Sequence, residues 1–357
     1  MLLTSFGIVT NIIIAVDIIV DMMMTTFDVA GRMEAFSVGT TFSGMDTIKW
    51  ALGDLGKSAK NYKHAFSIEK SAACRCFIKQ NVKVPKKKVY ADIHDVDESR
   101  LPTVDIYVAG FPCQAFSKAG KRQGANDEKG RGRLFDKCLK YLKEKTPRCF
   151  MLENVSSLAT DKQFEKYFRS IMRRLRTLHD GIYTIHYEVL DTQDHGLPHH
   201  RERLYIIGIR SDLPGPLPKF KFPKPILGAD LEELLDMTDT RHQLNVPRSP
   251  TGIRNLAKAV RNMIEKGVNP FDNVIVVDVG GGPSRKALWR QGAFPCITHA
   301  RATSRGYWLT KLNRPVKVQE LLRVQGIGPS EIKTDGISDP QLGGMATNLH
   351  SRGDNGR

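Results

Sequence analysis

From Phe36 onward the chain alternates short apolar runs with longer amphipathic stretches. Few folds accept that order, because a strand that returns parallel to its neighbour needs a crossover, usually a helix. The predicted strands are 35–42, 62–68, 88–91, 104–109, 149–152, 184–190 and 205–209. Between the fifth and sixth of these, residues 164–178 place Phe164, Phe168, Ile171, Met172 and Leu175 on one face. Arg169, Arg173, Arg174 and Arg176 fall largely outside that face, so the segment reads as an amphipathic helix with a solvated arginine side. The fold class expected from the pattern is α/β, a sheet flanked by helices.

The pattern breaks at Ser211. Residues 213–225 are proline-dense with interleaved lysines and read as a linker. Beyond them, to about Pro315, the chain reads as irregular and basic, carrying Arg241, Arg248, Arg254, Lys258, Arg261 and Arg290 among others. The expected organisation is an apolar N-terminal extension (1–34), a sheet domain (35–212), a smaller module (213–334) and a C-terminal segment (335–357) that returns to the sheet domain. Asp17 and Asp21 interrupt the extension and no basic residue precedes it, so it resembles neither a secretion signal nor a membrane span. With 54 Lys and Arg against 38 Asp and Glu, the formal charge is +16, which points to a polyanionic partner, with nucleic acid the default candidate. The six cysteines form no Cys-x-x-Cys pair, which indicates neither a zinc site nor a disulfide framework. His199 and His200 do not make a metal site by spacing, and they read as supporting or exposed residues.

The residues that carry chemistry cluster at predicted strand ends. Gly110-Phe111-Pro112-Cys113-Gln114 follows the strand 104–109, so Cys113 sits where an open α/β sheet binds ligands. It is either a nucleophile or a small buried hydrophobe. Phe42-Ser43-Gly44-Met45-Asp46 follows the first strand and suits a turn around a nucleotide-like ligand, although it is not Gly-x-Gly-x-x-Gly. Glu69 and Asp92 close the second and third strands. They are either acceptors for ribose hydroxyls and an adenine amino group or ordinary turn carboxylates. Glu153-Asn154-Val155 follows the strand 149–152 and delivers a carboxyl group to the same edge as Cys113. A cysteine with a nearby glutamate and no obvious histidine base suggests attack on a conjugated ring. In Arg201-Glu202-Arg203 the alternation places two guanidinium groups on one side of a strand start, suited to bidentate contact with an anion.

Taken in order, this set resembles the C5-cytosine-specific DNA methyltransferase family. The resemblance runs from about Phe36 to Leu349. It includes Phe42-Ser-Gly, Glu69, Asp92, Phe111-Pro-Cys-Gln, Glu153-Asn-Val, Arg201-Glu-Arg203, the run from Arg314 through Glu320 to Gln325-Gly, and Gln341-Leu-Gly343-Gly. It implies a Rossmann-like S-adenosylmethionine-dependent methyltransferase sheet with a smaller target-recognition domain. It also implies methylation of carbon 5 of cytosine in DNA, through base flipping and a covalent Cys113 adduct. By this resemblance Cys113, Glu153, Arg203 and Arg201 are catalytic, with Arg201 supporting the loop or a phosphate. Phe42, Gly44, Glu69, Asp92, Ile93 and Pro112 bind the methyl donor, S-adenosylmethionine, and no metal is implied.

The implied partner is double-stranded DNA, with no membrane and a monomeric enzyme, in the nucleus of a eukaryote or otherwise in the cytoplasm. Lys86-Lys87-Lys88 reads as a solvated loop or a short nuclear address. The chain departs from the family pattern at Asp46 and Thr47, where two further glycines are usual, at His199 in place of Gln, and at Gly344 in place of Asn. The alternatives are a tRNA C5-cytosine methyltransferase and a catalytically silent DNA-binding relative. Against the first, the Cys-Phe-Thr signature of that subgroup is absent, and Pro295-Cys296-Ile297-Thr298 stands in the region instead.

Overall fold

The computed structural model describes residues 35–54, 62–112, 134–213, 219–238, 245–282 and 288–347. The expected N-terminal extension and Cys113 lie outside the described residues. The described residues group into two units, one of 35–190 and 202–223 and the other of 191–201 and 224–347.

The first unit is built on seven strands: β1 (Phe36–Thr41), β2 (Tyr62–Ile68), β3 (Val89–Tyr90), β4 (Ile106–Ala109), β5 (Cys149–Val155), β6 (Tyr183–Asp191) and β7 (Glu202–Arg210). Helices α1 (Ile48–Asp54), α2 (Ala72–Asn81), α3 (Phe135–Lys145), α4 (Ser157–Thr160) and α5 (Glu165–Arg176) lie between them in the chain. The strand order is β3-β2-β1-β4-β5-β7-β6. β1 pairs in parallel with both β2 and β4, β2 with β3, and β4 with β5. The chain therefore steps outward from β1 in one direction and then restarts at β4 in the other. That reversal opens a crevice at the carboxyl ends of β1 and β4, the usual ligand position in such sheets.

Burial explains the composition of these strands. Ile106 to Ala109 and Cys149 to Leu152 are buried throughout, as apolar runs covered on both faces must be. Tyr107 stacks on Tyr141 of α3 at 4.4 Å between ring centroids. Both hydroxyls find partners, Thr41 Oγ1 at 3.0 Å for Tyr107 and the Pro102 carbonyl at 2.7 Å for Tyr141, so neither polar tip is stranded in the core. In α5 the residues Phe168, Ile171, Met172 and Leu175 are buried, as the spacing predicts. Two strands run three residues or more beyond the sequence reading. β5 continues through Glu153, Asn154 and Val155, and β7 begins at Glu202, because the two pair antiparallel over seven residues. Ladder hydrogen bonds thus hold polar residues that an apolar run does not announce.

The second unit contains a four-stranded sheet in the order β11-β10-β8-β9. Its strands are β8 (Ile275–Asp278), β9 (Leu288–Gln291), β10 (Tyr307–Leu309) and β11 (Arg314–Pro315), paired antiparallel. The expectation of irregular structure is corrected here. Val274 and Val276 pack with Leu309 and Phe294, while Ile275 and Val277 pack with Ala259 and Met263 of helix α6 (Pro250–Glu265). A strand buried on both faces loses its polar alternation, which is why the run Val274-Ile275-Val276-Val277 is continuous. α6 has its own start signal: Ser249 Oγ accepts from the Gly252 amide at 3.0 Å, with Pro250 opening the helix.

Three shorter helices complete this unit: α7 (His299–Thr303), α8 (Val318–Val324) and α9 (Asp339–Thr347). Arg314 and Glu320 form a buried bidentate pair, at 2.6 and 2.9 Å. Glu320 also accepts from the Lys317 amide at 2.8 Å, capping α8. The pair is therefore a structural clasp in which each charge is hydrogen-bonded, the condition under which buried ions are tolerated.

Candidate active site

The strands β1 to β5 deliver parts of the candidate site at their carboxyl ends, and antiparallel β7 brings Arg203 to the same edge at its start. After β1 the backbone turns sharply through Phe42 to Asp46. Phe42, Gly44 and Asp46 have φ of 57°, 57° and 58°, in the left-handed region. Such a residue without a glycine's freedom costs roughly 1–2 kcal/mol, so the turn must be held from outside. Glu69, just past β2 and 1% exposed, does part of that: its Oε2 accepts from the Gly44 amide at 2.8 Å and its Oε1 from the Ser71 amide at 2.7 Å. The Ser43 amide donates to the Ile68 carbonyl at 3.1 Å, fastening the same turn to the end of β2.

Past β3, Asp92 is partly exposed and lies 3.2 Å from Lys70 Nζ. Burial works to raise its pKa, but the His94 amide and the Lys70 ammonium outweigh it and hold the carboxyl below the usual range. Ile93 beside it is 5% exposed and joins the main core. Phe111 and Pro112 are buried at the end of β4. Phe111 is anchored twice, by its ring against Phe135 at 5.8 Å and by its carbonyl, which accepts from Asn154 Nδ2 at 3.0 Å. The turn leading to Cys113 is thus tied directly to β5.

Glu153 precedes that asparagine and is 9% exposed. Its Oε1 lies 3.0 Å from Arg203 Nε across the β5–β7 ladder. Arg203 faces Val155 in the register, so it reaches Glu153 along the diagonal, a distance long side chains span readily. The Arg203 guanidinium also donates to the Glu202 carbonyl at 2.7 Å, which limits its freedom to swing. The arrangement is a carboxylate held by a guanidinium beside the turn that leads to Cys113. It suits binding a polar heterocycle edge and handling a proton there.

Of the residues singled out in the sequence, Phe42, Gly44, Glu69, Asp92, Ile93, Pro112, Glu153 and Arg203 all belong to this unit. Arg201 belongs to the other, where its Nη1 donates to the Thr347 carbonyl at the end of α9, at 3.2 Å. His199 is fully buried in that unit. Its Nε2 accepts from the Ile297 amide at 3.2 Å and its Nδ1 meets the Gln325 side chain at 3.1 Å. His200 is paired with Asp191. Asn154 is the residue whose part a reading of motifs misses. It stands inside Glu153-Asn154-Val155, but only the pairing of β4 with β5 reveals its partner.

The chain is similar to several known methyltransferases. A family model for C-5 cytosine-specific DNA methylase matches residues 36–330. The type II methyltransferase M.NgoBI of Neisseria gonorrhoeae is 33% identical over 290 residues, 80% of each chain. M.HhaI of Haemophilus parahaemolyticus is 37% identical over 244 residues, 67% of this chain and 70% of its own length. Among solved structures, the Entamoeba histolytica methyltransferase EhMeth covers 88% of this chain and 93% of its own, with a TM-score of 0.60 and 16% identity, a likeness of fold. Among the described residues no helix is long and apolar enough to cross a membrane. With its family model spanning both units, this chain belongs to the C-5 cytosine-specific DNA methylase family and is a DNA cytosine-5 methyltransferase.

Proposed function

We propose that Cys113, Glu153 and Arg203 carry the methylation of cytosine carbon 5 in double-stranded DNA, acting as a monomer on a base flipped out of the helix. The observation that supports this reading best is the buried hydrogen bond from Asn154 to the Phe111 carbonyl. It joins the turn before Cys113 to the strand that presents the Glu153–Arg203 pair. The net charge of +16 suits a phosphate-rich substrate.

The residues present fit an S-adenosylmethionine molecule at the sheet edge. An ionised carboxylate accepts about four hydrogen bonds, so Glu69 can hold the Gly44 turn and also receive ribose hydroxyls. Asp92, kept ionised, is an acceptor for an adenine amino group, with Ile93 as apolar support. Phe42 and Gly44 would hold the methionine part, and Pro112 would help wall the pocket. S-adenosylmethionine, when bound, supplies the methyl group to the activated ring.

The protein's own part begins with extracting the target base, at a cost of about a few kcal/mol in lost stacking and pairing. The Cys113 thiolate adds to carbon 6 of cytosine, which makes carbon 5 nucleophilic. Glu153 manages the proton at ring nitrogen 3 so that charge does not build on the base. Arg203 contacts the carbonyl oxygen of the cytosine and holds Glu153 in register. Once carbon 5 carries the methyl group, its proton leaves to a base. The electron pair then returns to the ring, and Cys113 departs as thiolate. Arg201 supports the loop rather than the reacting atoms.

The test is transfer of labelled methyl from S-adenosylmethionine to duplex DNA and, separately, to total tRNA, by the wild type and Cys113→Ala. Label on DNA that disappears in the mutant is expected. Label on tRNA alone, or on neither despite intact donor binding, overturns the reading. DNA containing 5-fluorocytosine is expected to trap an adduct on Cys113, because fluorine cannot leave as a proton does.

A further inference from the structure

Asp46 stands where this family usually carries glycine, and the structure accounts for both the backbone and the side chain there. Its φ of 58° is one that glycine adopts freely and that aspartate tolerates better than most residues. Its amide donates to the Ser43 carbonyl at 2.7 Å, closing the turn. Its side chain turns inward rather than to solvent. Oδ2 accepts from Ser67 Oγ at 2.5 Å and from Thr40 Oγ1 at 3.0 Å, and His64 Nε2 lies 3.2 Å away.

Thr40 comes from β1, and His64 and Ser67 from β2, so one carboxylate grips both strands beneath the turn. Thr40 Oγ1 also meets Ser43 Oγ at 2.8 Å, carrying the grip back to the turn itself. His64 Nε2 also meets Ser67 Oγ at 3.0 Å, so the histidine belongs to the same buried cluster. Asp46 is 2% exposed, and its Oδ1 has no hydrogen-bond partner among the described residues. Burying a carboxylate with one oxygen unsatisfied is costly, which sets Asp46 apart from a neutral filler in the glycine's place.

We propose that Asp46 is a positioning residue for the methyl donor: its buried tether to Thr40 and Ser67 holds the Phe42–Thr47 turn in the strained backbone that presents Phe42 and Gly44 to the donor. Glu69 holds the turn from the strand-end side through the Gly44 amide, and Asp46 holds it from within the sheet. With only the first of these, Phe42 and Asp46 relax toward ordinary backbone angles and the Gly44 amide loses its direction. The proposal rests on the donor assignment made above.

The experiment compares Asp46→Ala, Asp46→Gly and Asp46→Asn in the full chain. It reads binding of S-adenosylmethionine and S-adenosylhomocysteine by calorimetry, KM for DNA, kcat and thermal unfolding. Asp46→Ala loses both tether and backbone tolerance and is expected to weaken donor binding by roughly tenfold or more. Asp46→Gly keeps the backbone but loses the tether, so its loss is smaller. Asp46→Asn keeps an acceptor and the left-handed tolerance, and is expected to lose least. KM for DNA moves by less than about twofold in all three. Unchanged donor affinity in Asp46→Ala overturns the proposal. So does a parallel fall of donor affinity, DNA affinity and thermal midpoint in all three variants, which marks a general structural role. A wild type that binds the donor but methylates no DNA sinks the functional reading above, while the binding series still decides the role of Asp46.

Discussion

Arg203 Nε lies 3.0 Å from Glu153 Oε1, joining adjacent antiparallel strands along a diagonal of their register. Both side chains are mostly buried, at 15% and 11% exposure, so removing either leaves the other poorly solvated. Arg203→Ala is expected to destabilise the protein by about 1–3 kcal/mol, below the range for fully buried pairs because both retain some water. It is also expected to lower kcat by roughly a hundredfold or more, as loss of a transition-state contact does. Arg203→Lys recovers stability better than activity, because an ammonium lacks the planar fork. Equal recovery of both would show that the pair only stabilises.

Asn154 offers a separate handle on the turn before Cys113. Asn154→Ala leaves the buried Phe111 carbonyl without its side-chain donor, at a cost of about 1–3 kcal/mol. If the bond aligns the turn, adduct formation on fluorocytosine DNA slows more than donor binding weakens. Unaltered adduct kinetics would refute the alignment role.

Glu98 joins its turn to α3 through Lys137 at 3.3 Å and Lys140 at 2.9 Å. Burial tends to raise its pKa, yet the two lysines prevail and hold the carboxyl below its ordinary value. A depressed folded pKa contributes stability that is present above the unfolded value, about 4.3, and lost as pH falls through the folded one. Glu98→Gln is therefore expected to unfold at a lower temperature than wild type at pH 7, by an amount equivalent to about 1 kcal/mol or less. The difference narrows below about pH 4. A pH-independent difference would contradict the assignment.

In α9, Gly343 and Gly344 meet α7 at close range, and the neighbours differ in kind. A Cβ on Gly343 would come within 2.8 Å of the Ala302 carbonyl oxygen, which is backbone. One on Gly344 would meet the tip of His299 at 2.8 Å and the Thr303 methyl at 3.0 Å, both side-chain atoms that can yield. Gly343→Ala is expected to cost more than Gly344→Ala, within the roughly 1–3 kcal/mol of overpacking. Gly344→Asn, which restores the family's usual residue, lowers the unfolding temperature without improving donor affinity. Thermal scans of the three variants decide the order.

The thiols separate by burial. Desolvation pushes Cys138 and Cys149 up to about 12, whereas Cys296 is exposed. Iodoacetamide at neutral pH is expected to modify Cys296, and Cys113 if it is the accessible nucleophile, while Cys138 and Cys149 react only after denaturation. Peptide mass mapping reads this directly, and early labelling of Cys138 would contradict the packing around α3.

Much of the first unit is legible in the sequence, because parallel strands and their crossover helices write themselves as local periodicities. The strand Tyr62–Ile68, the buried face of α5 and the placement of Glu69 and Asp92 at strand ends all follow from such patterns. The second unit was less legible. Its β8 is buried on both faces and so has no alternation, and its partners β9 and β10 are only four and three residues long.

The sequence by itself determined the fold class and the residue types that line the sheet edge, since these depend on local spacing and chemistry. Tertiary structure decided which of those residues meet. The antiparallel pairing of β7 with β5 brings Arg203 to Glu153, and the parallel pairing of β5 with β4 brings Asn154 to the Phe111 carbonyl. It also turned Asp46 from an unexplained substitution into a tether, because Thr40 and Ser67 become neighbours only when β1 and β2 lie side by side. The register of non-local strands depends on packing of the whole core, and no window of sequence contains that information.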